Sequence, residues 1–191
     1  MGYSAKLPLC TMISIEDLSN KIRSVGFMCR RCGTCCRCVS PDSDLVMVSP
    51  PEVRAIISST GLAWDRIVTP YPETISDRSG ARITLGWCLH REGDRCRFLD
   101  EKICTIYAAR PWICRTYPFM LDEDTLLVSP CEGLGEPMSE QEATSIATRL
   151  LQRQCAEKEE EHKVRLAVQR STLPAGAFVV IDSDGAKVID G

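Results

Sequence analysis

Five of the ten residues in the stretch CRRCGTCCRC, positions 29–38, are cysteine. A chain that gathers thiols so densely has few chemical uses for them: disulfides, a redox pair, a zinc site or an iron-sulfur cluster. The compartment narrows the choice. The opening MGYSAKLPLCTMISIEDL has no apolar run followed by a small-residue cleavage site, so it does not read as a signal peptide. No stretch approaches the roughly eighteen apolar residues of a spanning helix, and Lys6 stands where N-myristoylation wants Ser or Thr. The expectation is a cytoplasmic protein with no membrane attachment. In a reducing compartment abundant cysteine points to metal or catalysis rather than to structural disulfides.

Spacing sharpens this. The twelve cysteines stand at 10, 29, 32, 35, 36, 38, 88, 96, 104, 114, 131 and 155. Cys29, Cys32 and Cys35 form C-x2-C-x2-C, which curls the backbone enough to aim three sulfurs at one centre, as in the ferredoxin run. The side chain of Cys36 is expected to diverge from that of Cys35 and to serve a second centre. Cys88, Cys96, Cys104, Cys114 and Cys131 are enough to close a two-centre arrangement by long-range coordination. A thioredoxin-like pair would use one C-x-x-C at a strand-to-helix turn, and here three overlap with no βαβ pattern around them. The radical-SAM spacing C-x3-C-x2-C occurs nowhere, nor does the haem signature Cys-x-x-Cys-His. A Cys35–Cys36 bridge would strain its peptide link. His90, two residues after Cys88, is a conceivable ligand, but it reads first as an exposed loop histidine. Cys10 and Cys155 read as plain thiols.

Arginine accompanies the cysteines. Eight of the seventeen lie in the short Cys segments: Arg30, Arg31, Arg37, Arg91, Arg95, Arg97, Arg110 and Arg115. A centre held by four thiolates is anionic, and taking it out of water is costly without opposite charge nearby. In YAARPWICRTYPF, Pro111 and Pro118 are expected to force Arg110 and Tyr117 out of helical geometry and to hold Cys114 on a rigid, non-helical turn between Arg110 and Arg115. These two arginines would neutralise thiolates; their functional alternative is to bind an anionic substrate or partner. The segment lacks the interleaved aromatics of a base-stacking platform. With a net charge of -3 as well, no nucleic-acid partner is expected.

Local signals place the elements. Ser14 caps a helix that stops at Gly26; Ser49, Pro50 and Glu52 open a second that stops at Gly61. Ser139 and Glu142 open a third that runs toward residue 170, whose charged EKEEEHK middle is a solvated face. RITLGW, CRFL and TLLVS are short extended segments, and AFVVIDSDGAKVID is a hairpin turning near Ser183, Asp184 and Gly185. The fold class is therefore α+β: a small, loop-rich cysteine-cluster domain organised around metal or iron-sulfur centres, with flanking helices and a C-terminal hairpin. Residues 1–135 would form the metal-binding domain and 136–191 an extension packing on it or on a partner. Aromatics are only 6% of the chain and the 44% apolar fraction counts the cysteines, so the oily core is thin. A structural zinc alone can contribute ~10–16 kcal/mol, and the metal-free chain is expected to be loose between residues 29 and 131.

FMCRRCGTCC, then CRFLDEKICTIYAARPWICRTYPF, then PCEG resemble the YkgJ-type cysteine-cluster (CxxCxxCC) family, described as a zinc- or iron-chelating domain. The pattern covers roughly residues 27–133. The resemblance implies metal ligands at Cys29, Cys32, Cys35, Cys36, Cys96, Cys104, Cys114 and Cys131; Cys38 and Cys88 exceed the pattern. The triple-spaced run and the excess of cysteine fit a 4Fe-4S cubane somewhat better than zinc, with room for two centres. Three functions follow. The clusters could carry electrons for a redox enzyme or electron donor, making the chain an oxidoreductase component; the site could be a zinc-binding structural or metal-handling module; or, since flagellin lysine N-methylase has a similar Cys segment, the protein could assist protein lysine methylation. No S-adenosylmethionine loop, P-loop or Ser-His-Asp grouping is visible, so no catalytic residue is assigned.

Overall fold

The computed structural model describes residues 13–37 and 45–189. Cys10 and Cys38 lie outside the described residues. The chain forms two compact units, each discontinuous in sequence: the first takes the described residues up to Arg30 together with Trp112–Lys158, the second Arg31–Pro111 together with those from Glu159 onward. The boundary expected at residue 136 falls inside the first unit.

In chain order the first elements are α1 (Ile15–Val25), β1 (Met47–Val48), α2 (Pro50–Thr60), β2 (Val68–Pro70), β3 (Ile75–Ser76), β4 (Arg82–Leu85) and β5 (Trp87–Leu89). Then come β6 (Arg91–Glu92), β7 (Arg95–Cys96), β8 (Leu99–Asp100), β9 (Ile103–Cys104) and α3 (Trp112–Thr116). The last are β10 (Phe119–Asp122), β11 (Thr125–Val128), α4 (Glu140–Arg170), β12 (Phe178–Asp182) and β13 (Gly185–Val188).

The helix ends follow their caps. The Ser14 hydroxyl accepts a hydrogen bond from the Asp17 N–H at 3.0 Å, and the Gly26 N–H closes α1 on the Ile22 carbonyl. Ser49 and Glu52 form a capping box on α2, which ends at Gly61 in the left-handed region. Ser139 and Glu142 cap α4 in the same way.

The first unit packs α1 against the N-terminal part of α4 and the β10–β11 hairpin. Leu18, Ile22, Phe119, Ala143, Ala147, Leu150 and Leu151 are its buried core. The rings of Phe27 and Phe119 meet edge to face with centroids 5.7 Å apart. Arg153 is buried, and its guanidinium donates to the Thr116 hydroxyl at 3.0 Å and to the Glu157 carboxylate at 2.7 Å, so its charge is not left unpaired.

The second unit holds two sheets. One has the order β1-β5-β2, the other β13-β12-β4-β3, in which β12 lies parallel to β4 with Phe178 opposite Arg82. Its main core joins Val53 and Ile56 of α2 to Val48, Ile67, Val68, Trp87, Leu89, Cys96, Phe98, Ile106 and Val180. The β6–β7 and β8–β9 hairpins hang from this core and carry two of the cysteines.

The combination of helices and several small sheets is α+β, as expected. One local expectation is corrected: Cys114 stands on a short α-helix rather than a non-helical turn. Pro111 immediately precedes that helix, where its fixed φ starts a helix as readily as it ends one. Arg110 itself is extended, with φ -56° and ψ 142°. Among the described residues no helix is long and apolar enough to cross a membrane.

Candidate metal centre

In the second unit the backbone brings four cysteines together. Gly33 sits at φ 78°, ψ 0° and opens a 3-10 turn over Thr34–Cys36, closed by the Cys36 N–H on the Gly33 carbonyl at 3.0 Å. A side chain at Gly33 would place its Cβ 3.0 Å from Leu99 Cδ1 and 3.2 Å from the Lys102 backbone, so glycine lets the turn seat directly on the β8–β9 hairpin. The Arg37 guanidinium donates to the Glu101 carbonyl of that hairpin at 3.2 Å, and the Arg37 backbone bridges to Arg95 of β7. Cys104 pairs with Leu99 across one hairpin and Cys96 with Arg91 across the other.

The side chains complete the approach. The Cys36 thiol is hydrogen-bonded with both Cys35 and Cys104, and Cys36 and Cys104 pack against the apolar cluster that buries Cys96. The four titrate as neighbours. Cys104 is lowered to about 6, first by the Cys36 hydrogen bond, against burial, with help from the Ile106 backbone and the Arg110 charge. Cys35 is lowered to about 7, again chiefly by Cys36 and with Arg110 contributing. Cys36, holding the proton between the other two, is pushed far up, and Cys96 is raised mainly by burial. Cys35 is exposed, Cys36 and Cys104 are half-buried and Cys96 is buried. Among the described residues no three Cys, His, Asp or Glu side chains already stand as a ligand group for a metal ion; the thiols are engaged with one another.

The sequence reading has Cys35 and Cys36 diverge; in the structure their thiols are hydrogen-bonding neighbours. Successive side chains lie on opposite faces only in extended chain; in a 3-10 turn, at about three residues per turn, they are ~120° apart and both can reach one side. Gly33 directly before TCC was the available signal. Cys32, half-buried, belongs to the same unit, just before Gly33.

The first unit holds Cys29, Cys114 and Cys131. Phe27 bridges to Leu134, and the Met28 N–H donates to the Gly133 carbonyl at 2.9 Å, so the segments carrying Cys29 and Cys131 run side by side. Their approach depends on glycine. A Cβ on Gly133 would lie 2.1 Å from the Met28 carbonyl oxygen, and one on Gly26 2.5 Å from that of Glu136. Arg30 and Glu136 close the same segments with an ion pair at 2.5 Å. The Cys114 helix is tied in by the Tyr117 hydroxyl, which donates to the Pro130 carbonyl, and by the Ser129 N–H on the Pro118 carbonyl at 2.8 Å. Cys29 is exposed, Cys114 and Cys131 half-buried.

The arginines divide their work. Arg110 belongs to the second unit, where its charge acts on Cys35 and Cys104 while its guanidinium lies 3.6 Å from the centroid of the Tyr107 ring. Arg91 acts on Cys96, and Arg31 lies 4.9 Å over the same Tyr107 ring. Arg115 lies over the Trp112 ring at 5.5 Å in the first unit. Cys88 is 1% exposed in β5 and is raised to about 11 by burial, as befits a core thiol. His90 is half-buried rather than an exposed loop residue, and its Nδ1 has no hydrogen-bond partner.

No solved structure matches the chain. An uncharacterized protein of Methanocaldococcus jannaschii is 27% identical over 100 residues, which cover 51% of this chain and 47% of the relative. The chain thus spans about half the length of the curated relative it matches. The family described as "CxxCxxCC: Putative zinc- or iron-chelating domain" matches residues 28–136, over half of the sequence and the whole of the cysteine-bearing stretch just described, and the chain belongs to that family.

Proposed function

We propose that the protein is a metal-binding thiolate module whose second unit holds one metal ion on Cys35, Cys36, Cys96 and Cys104, with Cys29, Cys114 and Cys131 supplying thiols for a further centre in the first unit. The observation that carries this reading is the hydrogen-bonded set around Cys36. Four sulfurs about 2.3 Å from a zinc stand ~3.8 Å apart along a tetrahedral edge. That spacing is close to the reach of a thiol–thiol hydrogen bond, so turning the side chains of Cys35, Cys36 and Cys104 converts mutual contacts into a common focus, with Cys96 near enough for its charge to act on theirs. A cubane inserts iron and sulfide between each cysteine and the next and holds the cysteine sulfurs farther apart, which favours a single zinc or iron ion here over 4Fe-4S.

When bound, such an ion crosslinks the Gly33 turn to both hairpins. The chain's own contribution is the donor set and its charge balance: the charge of Arg110 acts on Cys35 and Cys104, and that of Arg91 on Cys96. Binding displaces the proton that Cys36 holds between its neighbours. The protein then acts as a structural or metal-handling module.

The second reading is an iron-sulfur centre that passes electrons to a protein partner. It is supported by the exposure of Cys35 and by a cysteine supply larger than one ion needs. Anaerobic purification with metal and acid-labile sulfide analysis, plus a visible spectrum, separates the two. Zinc, or iron without sulfide, is the expected result. Brown protein with sulfide equal to iron would replace it with the electron-transfer reading, and protein devoid of metal, still folded, would end both.

A further inference from the structure

Cys36 and Cys104 lie 68 positions apart in the chain, on different backbone segments, yet both side chains pack against the same apolar cluster, with their thiols as hydrogen-bonding neighbours. The segments are already fastened to each other by the Arg37–Glu101 hydrogen bond and by the close seat of Gly33 on Lys102. We propose that Cys36 and Cys104 are a modification site, which a hydroperoxide oxidises to a disulfide that locks the Gly33 turn onto the β8–β9 hairpin and withdraws two sulfurs from the metal's donor set.

Geometry selects this pair from the four thiols. Adjacent α-carbons across a trans peptide are about 3.8 Å apart, shorter than the roughly 4.4 Å at which disulfides begin, so Cys36 is poorly placed to bridge to Cys35. Cys96 is buried, whereas Cys36 and Cys104 are half-buried beside the exposed Cys35, which leaves a small peroxide a way in.

The chemistry balances with one peroxide for two thiols. The Cys104 sulfur attacks a peroxide oxygen, the O–O bond breaks, and the departing hydroxide takes the thiol proton and leaves as water. This gives a sulfenic acid on Cys104. The Cys36 sulfur then attacks the Cys104 sulfur, the S–O bond breaks, and a second water carries away the remaining proton. Two electrons have passed from the sulfur pair to the peroxide. A thiol reductant reverses the bond.

The withdrawal of ligands rests on the metal-binding reading above; the disulfide itself does not. The test is therefore run on the full chain in two forms, zinc-loaded and metal-stripped, each treated with one equivalent of hydrogen peroxide, alkylated and mapped by mass spectrometry. The expected result in both is a single peptide crosslink, Cys36 to Cys104, reversed by dithiothreitol. In the loaded form a chromophoric chelator should register one released zinc per crosslink. Cys36→Ser should abolish the crosslink, and Cys88→Ser should leave it unchanged. A crosslink in the stripped form with no zinc taken up or released by the other would keep the modification site and overturn the metal reading. Zinc release with only a Cys35–Cys36 link, or with sulfinic acids scattered over the cysteines, would overturn the modification site and leave the metal reading standing.

Discussion

The indole N–H of Trp87 donates a 2.6 Å hydrogen bond to the carboxylate of Asp182, joining the central strand of one sheet to the C-terminal hairpin of the other. Asp182 is 1% exposed, and it also accepts from Lys187 Nζ and from the Asp184 backbone. Lys187 in turn lies 4.9 Å over the Trp64 ring. Asp182→Ala would leave a buried indole N–H unpaired and remove the partner of a half-exposed ammonium. The expected loss is ~2–4 kcal/mol, most of it from the stranded donor because the Lys187 pair is solvent-screened. Asp182→Asn keeps an acceptor and should lose about half as much. Urea unfolding of the two variants checks this, and equal losses would mean that the charge rather than the hydrogen bond matters.

Glycines at two positions should respond differently to the same substitution. Gly61 ends α2 at φ 71° with nothing within 4 Å of an added Cβ, so Gly61→Ala meets only backbone strain, about 1 kcal/mol. Gly133 would bring its Cβ to 2.1 Å from the Met28 carbonyl oxygen, so Gly133→Ala must push apart the segments that carry Cys29 and Cys131. Its expected cost is ~3 kcal/mol or more, in the range of overpacking damage. The same change should raise the accessibility of Cys131 to a thiol reagent, whereas Gly61→Ala should not. Thermal melts together with alkylation counts would show both effects.

The parts of this structure legible in the sequence are those set by short-range chemistry. Ser14, Ser49 and Ser139 mark helix starts because a side-chain oxygen can satisfy the free amides of a first turn, and Gly26 and Gly61 mark helix ends because glycine tolerates the left-handed cap. The hairpin at Asp182–Gly185 follows from the same local rules. What stayed hidden is set by partners far away. No feature of FVVID announces that it lies parallel to RITL nearly a hundred residues earlier. The cysteine run shows the same limit. Its density and C-x2-C spacing announce a metal family, yet the division of its thiols follows the backbone units, Cys29 with Cys114 and Cys131 and Cys35 with Cys36, Cys96 and Cys104. Spacing counts residues along the chain, whereas Gly33 decides where the run bends.

Thiol reactivity in metal-free protein should order itself by environment. Cys104 and Cys35 are lowered to about 6 and about 7, first through the Cys36 hydrogen bond and then with the Arg110 charge, while burial pushes Cys88 up to about 11. Lowered values mean that the thiolate is present above them and lost as pH falls through them. Iodoacetamide rates should therefore rise with midpoints at about pH 6 for Cys104 and about pH 7 for Cys35 and level off above them, while Cys88 stays slow throughout that window. Cys36→Ala removes the leading cause and should move both profiles to higher pH; Arg110→Met should move them in the same direction by less. Peptide-resolved alkylation from pH 5 to pH 9 measures this. A Cys104 profile unchanged in Cys36→Ala would contradict the hydrogen-bonded set.

Metal removal should loosen the second unit locally rather than unfold it, which revises the expectation of a chain loose from residue 29 to 131. Val53, Ile56, Ile67, Val68, Trp87 and Leu89 are buried in a core whose contacts need no metal. Burying side chains of this size contributes ~1.5–3 kcal/mol each before chain entropy is charged against it. By contrast the Gly33 turn and the two-residue strands of β6 to β9 have few backbone hydrogen bonds of their own and depend on cross-linking. Stripping the metal with a strong chelator should thus increase amide exchange over residues 33–37 and 95–106 while leaving α2, β5 and β12 protected. Exchange that rises uniformly across Arg31–Pro111 would mean that the ion, not the apolar core, specifies the unit. Exchange unchanged at 33–37 and 95–106 would mean that these thiols hold no metal at all.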